Sequence, residues 1–498
     1  MNQQLHFRLR KSLATFCIAF LQGVAVIAHA SVPGITGAVA GAPVFDLTAA
    51  AAYTTQPDGM SIYTFGYGCN PLTTPVFLPN QIAGASNCST MQMPGPTLIV
   101  NEGDNVTVKL TNNLPAAAGN TSILFPGFIV SALPAAKQPS TCSSTTPTLQ
   151  GLLATEAVNG CTVTYTFRAS APGTHSYYSG TRPDLQVEMG MFGALIVLPT
   201  KNTTCQNMLS PNPFSLAASA YDNPNTCYDR EYLFQFSELS LKVHQQVETQ
   251  VTSGTSMLSV MIEPYHPEYF LVNGRSMPDD MDPNYAGIYP HQPYNGNPHM
   301  HPGEMVLMRV IGQGRWQHPF HHHGNHARVL ARDGNLITSQ LDATGTALAG
   351  PLVFTVPTVS GQTVDAIFTW TGQGLNWDVY GPATGVTAHT CNGLGVPSAG
   401  LDPTTKEYCP DHGKPLPVTP PDKNIVANGL WYGGSPYLGV PVSTHLPPGT
   451  TELNTAGSYA YMWHSHDERE ITTNDIFPGG MMMMLLIDPP AQPIDELQ

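Results

Sequence analysis

The residues best equipped for chemistry are histidines that arrive in two short runs. HPFHHHG, from His318 to Gly324, sets His321 and His323 on either side of His322. WHSH sets His464 and His466 on either side of Ser465. On a β-strand, residues i and i+2 project from the same face. Each pair can therefore aim two imidazoles at one point, and two such strands side by side would supply four. A cluster of neutral imidazoles suits copper, then zinc or nickel. The competing reading is a histidine-rich surface without metal, since the chain carries 18 His; the strand contexts of both runs favour a site. His322 alternates away from its neighbours and is read as a packing or supporting residue. His299 and His301 form a further His-x-His in PHMHPGE, placed before a turn.

The elements that must position these side chains read as short strands. Ser61–Tyr67, Val106–Leu110 and Thr162–Phe167 alternate, and Gly193–Leu198 is a continuous apolar run. A second series comprises 231–236, 269–272, 305–311, 327–331, 364–370, 459–463 and 481–487. With 46 Gly and 46 Pro against 11% charged residues, the chain reads as turn-rich β-sheet, a sandwich or barrel. Residues 31–60 read as a small-residue leader, and the polar stretch 201–227 as a linker. These divide the chain into a first domain at 42–200 and a second at 228–490. The second is interrupted by a loop-like insertion at 373–457, a length that is usually functional or an accessory subdomain.

Residues 1–30 read as an export signal. Arg8, Arg10 and Lys11 precede an apolar run from Leu13 to Ile27, and Ala28-His29-Ala30 supplies a small-x-small cleavage site. No later segment is apolar enough for a membrane span. Removing Cys17 with the signal leaves eight of nine cysteines, an even set that reads as disulfides in an exported chain. Sequence does not fix connectivity; four local bridges are expected, 69–88, 142–161, 205–227 and 391–409. The formal charge of −15 becomes −18 once the three basic signal residues are removed. Such a surface argues against nucleic acid or an anionic membrane as partner.

At HPFHHHG and WHSH the chain resembles the multicopper oxidases, laccase-like proteins built from cupredoxin β-sandwiches. MPGPTLIVNEGDNVTVKLTNNL (Met93–Leu114) is similar to that family's opening strands. GTHSYYSG (Gly173–Gly180) and MGMFGALIVLP (Met189–Pro199) fall where its next motifs belong. The resemblance covers nearly the whole mature chain apart from the insertion. It implies an all-β fold of two cupredoxin-like Greek-key β-sandwich domains, the long insertion in the second, and copper as cofactor. The family holds three coppers between its first and last domains with four His-x-His motifs. Here the two first-domain motifs align with Leu124 and Pro126, and with Tyr178 and Gly180; Leu, Pro and Gly offer no metal donor. His175, three residues from Tyr178, would face the other side of a strand. The family's electron-entry site needs a cysteine between the last two histidines and a histidine five residues on. This chain has Ser465 and Glu470 there, leaving His318 alone in register. A blue-copper centre depends on a thiolate, which a serine hydroxyl does not replace.

The resemblance thus leaves His321, His323, His464 and His466, enough for one copper, or for two with further ligands. His318, His326 and Glu470 are candidates for those, with Tyr178 and His322 as supporting residues. The acidic run Asp467, Glu468 and Glu470 also reads as a solvated charged turn. Three functions stay open: a copper-dependent oxidoreductase acting on a small molecule or dioxygen, a non-catalytic copper-binding, storage or delivery protein, and a structural protein with a remnant site. Oligomeric state is open.

Overall fold

The computed structural model describes residues 32–488 apart from 38, 40, 80–81, 83–87, 201–204, 206–217, 374–399, 401–407 and 412–458, together with 493–495. The signal reading and nearly all of the insertion lie outside these residues. What is described is β-sheet with little helix, arranged as two sandwiches.

The first sandwich pairs two five-stranded sheets. Its strands are β1 (Gly34–Thr36), β2 (Val44–Thr55), β3 (Ser61–Cys69), β4 (Val76–Leu78), β5 (Leu98–Asn101), β6 (Asn105–Asn112), β7 (Ser131–Pro134), β8 (Thr162–Arg168), β9 (Gly173–Tyr178) and β10 (Phe192–Leu198). The sheet orders are β9-β10-β5-β1-β4 and β3-β2-β6-β8-β7. Alternation sets the inward face. Val106, Val108 and Leu110 stand opposite Phe167, Tyr165 and Val163 across the β6–β8 ladder, and all six are buried. Such cross-strand apolar pairs are the stabilising unit of a sheet.

Strand β2 corrects the leader reading. It lies inside its sheet, antiparallel to β3 and parallel to β6, with Leu47 beside Leu110. Its centre is four alanines, Ala49–Ala52, so side-chain type does not mark which face is inward. The helix α1 (Leu241–Thr252) was also not anticipated; Val243 and Val247, one turn apart, pack onto the first sandwich's core.

The second sandwich has strands β11 (Arg230–Leu239), β12 (Tyr269–Val272), β13 (His299–Met300), β14 (Met305–Gly312), β15 (His318–His322), β16 (Ala327–Arg332), β17 (Asn335–Leu336), β18 (Leu352–Val353), β19 (Thr355–Thr358), β20 (Thr363–Thr369), β21 (Tyr459–Ser465) and β22 (Met482–Ile487). One sheet runs β12-β11-β14-β20-β16-β17, with β18 on β16; the other runs β13-β22-β21-β15-β19. Phe234, Phe236, Phe320, Phe368, Trp463, Met481 and Met483 fill the space between them.

Between the sandwiches sits a buried polar lattice. The fully buried Arg309 donates from Nε to Glu231 Oε2 at 2.7 Å and from Nη1 to Thr174 Oγ1 at 3.0 Å. Thr174, on β9, donates to Asp365 Oδ1 of β20 at 2.6 Å, and Tyr221 donates to the other oxygen of Asp365. Charges can be buried this way because nearly every partner is itself paired.

Disulfides join Cys69–Cys88, Cys142–Cys161 and Cys205–Cys227, as expected. Cys409 is also disulfide-bonded, and Cys391 falls outside the described residues. Among the described residues no helix is long and apolar enough to cross a membrane.

Candidate metal centre

Strands β15 and β21 lie antiparallel with His321 directly opposite His464. The pairing runs on past the strand ends through His323 N donating to the Met462 carbonyl and His466 N to that of Pro319. The Trp463 indole N–H donates to the His323 carbonyl at 3.0 Å, which fixes the end of the first motif from the core side.

With register and face set, three imidazoles converge. His321, His323 and His464 are 7%, 5% and 9% exposed, and one nitrogen from each lies within 4.8 Å of the others. His464 Nε2 and His323 Nε2 stand 3.3 Å apart. Two imidazole nitrogens ~2.0–2.1 Å from a tetrahedral ion would be ~3.3–3.4 Å apart, so this pair already has ligand spacing. His466 is exposed; its ring centroid is 4.8 Å from that of His321 and 5.6 Å from that of His464, beside the compact set of three.

The tautomers fit as well. His464 Nδ1 lies 2.7 Å from the Ser465 carbonyl oxygen and so carries its proton there. His321 Nδ1 lies 2.9 Å from Thr355 Oγ1. Fixing the His464 proton on Nδ1 leaves its Nε2 as the lone-pair donor, the arrangement metal-binding histidines use, while the Thr355 hydroxyl orients the His321 ring. Burial, reinforced by the neighbouring histidines, lowers His321 to about 4 and His323 to about 3; burial also lowers His464. At neutral pH these rings are uncharged, the form that ligates. Three neutral imidazoles at this spacing are a donor set that copper or zinc takes.

The additional ligands expected from sequence are not brought in. His318 is fully buried, with Nε2 3.0 Å from Glu238 Oε2 and Nδ1 2.9 Å from Glu470 Oε2; the second contact is too bent for a well-aligned hydrogen bond. Both nitrogens therefore face carboxylate oxygens and neither has a lone pair to give. Burial alone would lower His318, but the two carboxylates outweigh it and raise it to about 9. Glu470 is committed to His318 and to the Ser465 hydroxyl, and is buried, so it is neither ligand nor solvated turn. His326 lies beyond Gly324, exposed, with its ring over Phe354 at 3.7 Å. His322 does face away, buried among Phe320, Phe368 and Trp463, with Nε2 3.0 Å from the Val353 carbonyl oxygen. His299 and His301 part company, each against its own carboxylate, Asp488 and Glu304.

The first sandwich carries a matching pairing without donors. Leu124 bridges Tyr178 in antiparallel register, as His321 bridges His464. At Gly180 an added Cβ would come within 2.9 Å of Leu124 Cγ, so Leu124 occupies the space a side chain there would need. Tyr178 is half-buried near Gly361, in the second sandwich, and burial raises its hydroxyl. His175 faces the other way, as expected, and its ring lies 4.7 Å from that of Phe128.

Sequence reasoning missed Thr355 and Glu238. The signal for Glu238 was present: a lone carboxylate closing the apolar strand Tyr232–Leu239 needs a buried partner. Thr355 had none, because a cross-strand neighbour is set by register with β15.

Residues 87–202 match the sequence profile of the multicopper oxidases. This stretch of the chain is therefore similar to a multicopper oxidase domain. Multicopper oxidase MCE of Talaromyces pinophilus is 30% identical over 132 residues, which is 26% of this chain and 18% of that protein. Laccase-1 of Emericella nidulans is 30% identical over 190 residues, 37% of this chain and 26% of that protein. The matches thus span about a quarter or less of these relatives' own length. Among solved structures, the multicopper oxidase mgLAC is 16% identical with a TM-score of 0.47, covering 91% of this chain and 87% of its own. The multicopper oxidase match ends before the histidine cluster begins, so the cluster stands on its own geometry.

Proposed function

We propose that this protein is an exported copper protein of the multicopper-oxidase kind, with a histidine-only site in its second domain that supports oxidoreductase chemistry. The observation that carries the reading is the convergence of neutral His321, His323 and His464 nitrogens within 4.8 Å. His466, exposed at the rim, is the fourth ligand and the one nearest to solvent. Bound copper would supply a redox-active Lewis acid. The chain's own contribution is to hold three imidazoles unprotonated, to fix the His464 tautomer through the Ser465 carbonyl, to orient His321 through Thr355, and to leave the solvent side beside His466 open to a small molecule or dioxygen.

Export is supported by the signal-like residues 1–30 and by three disulfides, which persist in oxidising compartments. The domain division at 42–200 and 228–490, joined by 201–227, is supported by the presence of two sandwiches, although β1 (Gly34–Thr36) of the first lies ahead of residue 42.

A second reading, a non-catalytic copper carrier, draws on one specific observation. Ser465 and Glu470 stand where a thiolate and an imidazole would be needed to feed electrons in, and both are hydrogen-bonded to each other. Elemental analysis with electron paramagnetic resonance on the purified protein tests the site: one copper with a nitrogen-dominated signal is expected, and absence of bound copper refutes it. Oxygen uptake with a reducing substrate separates oxidoreductase from carrier.

A further inference from the structure

The residues that lost their candidacy as ligands form a unit of their own. His318 is enclosed by Glu238 and Glu470, and all three are at most 3% exposed at the side chain. His318 Nε2 donates to Glu238 Oε2 at 3.0 Å, and Nδ1 lies 2.9 Å from Glu470 Oε2 in a more bent contact, so both ring nitrogens face acceptors. A carboxylate oxygen facing each nitrogen favours the doubly protonated, positively charged ring. The two carboxylates are satisfied in turn. Glu238 Oε1 accepts from the backbone N–H groups of Arg315 and Trp316 at 2.7 and 2.9 Å, and from the Tyr265 hydroxyl at 3.2 Å. Glu470 Oε2 accepts from Ser465 Oγ at 2.5 Å.

Ser465 is what ties this unit to the histidine cluster. It sits between His464 and His466, and its carbonyl oxygen fixes the His464 Nδ1 proton. Its hydroxyl oxygen also accepts from Asp467 N at 3.3 Å, while its backbone N–H donates to the Met481 carbonyl at 2.9 Å. The chain end carrying His464 and His466 is thus fastened on three sides, and one fastening leads straight into the enclosed charge.

We propose that Glu238, His318 and Glu470 form a metal-free cation cage which, through Ser465, positions the His464–Ser465–His466 segment. An enclosed imidazolium here does the work of a bound metal: it draws β11, β15 and the turn after β21 onto one positive centre. His318, Glu470 and Ser465 are positioning residues that act on the site through His464. The inference deepens the copper reading and rests on it for what the segment is positioned to hold; the cage itself is tested without copper.

The first experiment uses metal-free, full-length protein labelled with ¹⁵N-histidine. At pH 7 His318 should show two protonated ring nitrogens, both slow to exchange with solvent; a single protonated nitrogen overturns the cage. The second compares Ser465→Ala with Ser465→Thr. In Ser465→Ala the fold should hold, read by circular dichroism at a modestly lower thermal midpoint, while the His464 Nδ1 proton loses its protection from exchange. Copper(II) affinity should fall about 10-fold or more, with broadened hyperfine lines, and Ser465→Thr should restore both. An Ala variant with unchanged exchange, affinity and line shape overturns the positioning role. If the wild type takes up no copper, the proposed function falls, and the positioning role is then judged by the His464 proton in metal-free protein alone.

Discussion

Replacing His318 by Gln should expose how much the enclosed charge contributes to stability. Gln keeps the size and some hydrogen bonding but leaves Glu238 and Glu470 buried without a cation. In the wild type, burial disfavours the charged ring but the carboxylates prevail, raising His318 from 6.5 to about 9. That rise corresponds to about 3 kcal/mol. Removing one partner of a buried pair costs about 3–5 kcal/mol, so the two routes agree. Because the folded value lies above the unfolded one, the folded state holds the proton more tightly. The stabilisation is complete below pH 6.5 and is lost as pH rises through 9. Urea unfolding followed by tryptophan fluorescence at pH 6 should therefore show a loss of about 3–5 kcal/mol for His318→Gln. The double variant His318→Gln/Glu470→Gln isolates the pH dependence. Between pH 6.5 and 9.5 the wild type should lose about 3 kcal/mol more than this variant. Parallel stability curves across that range, or a single-variant loss under about 1 kcal/mol, would refute the imidazolium.

Further outcomes concern the histidine cluster. Burial and mutual proximity lower His321 to about 4 and His323 to about 3, so copper should be retained on dialysis at pH 5; loss above pH 6, read by elemental analysis, would contradict those environments. The same depression means that metal-free protein is destabilised as pH falls below 6.5 towards these values, because the unfolded chain takes up the protons first; acid unfolding curves check this. Replacing His464 and His466 by Ala should abolish copper binding while Cys409→Ser leaves it intact, by equilibrium dialysis; the reverse pattern moves the site into the insertion. Copper-loaded protein should lack an intense blue band and oxidise phenolic laccase substrates poorly, since Ser465 supplies no thiolate; a strong blue absorption of the thiolate–copper kind would overturn that.

The histidine pairs were legible because i, i+2 spacing needs only two adjacent strands to become a cluster. The facing of His322 followed from the same alternation. What spacing does not reveal is the partner across a sandwich. Glu238 lies 80 residues before His318, so His318 read as a ligand although a carboxylate already stood at each nitrogen. His326 failed for a local reason: the turn at Gly324, with φ of 103°, carries the chain away from the face that His321 and His323 share. Strand β2 escaped because four alanines carry no inward or outward mark. The helix α1 escaped because only Val243, His244 and Val247 are buried in twelve largely polar residues.

The lattice around Arg309 has a further consequence. It couples β9 to β14 and β20 with protein atoms alone, through Thr174, Glu231, Asp365 and Tyr221. Quaternary-like cohesion of the two halves is thereby uncoupled from metal loading. Stripping the ion with a chelator should leave the radius of gyration in small-angle scattering unchanged, so that occupancy alters reactivity at the rim without reshaping the molecule.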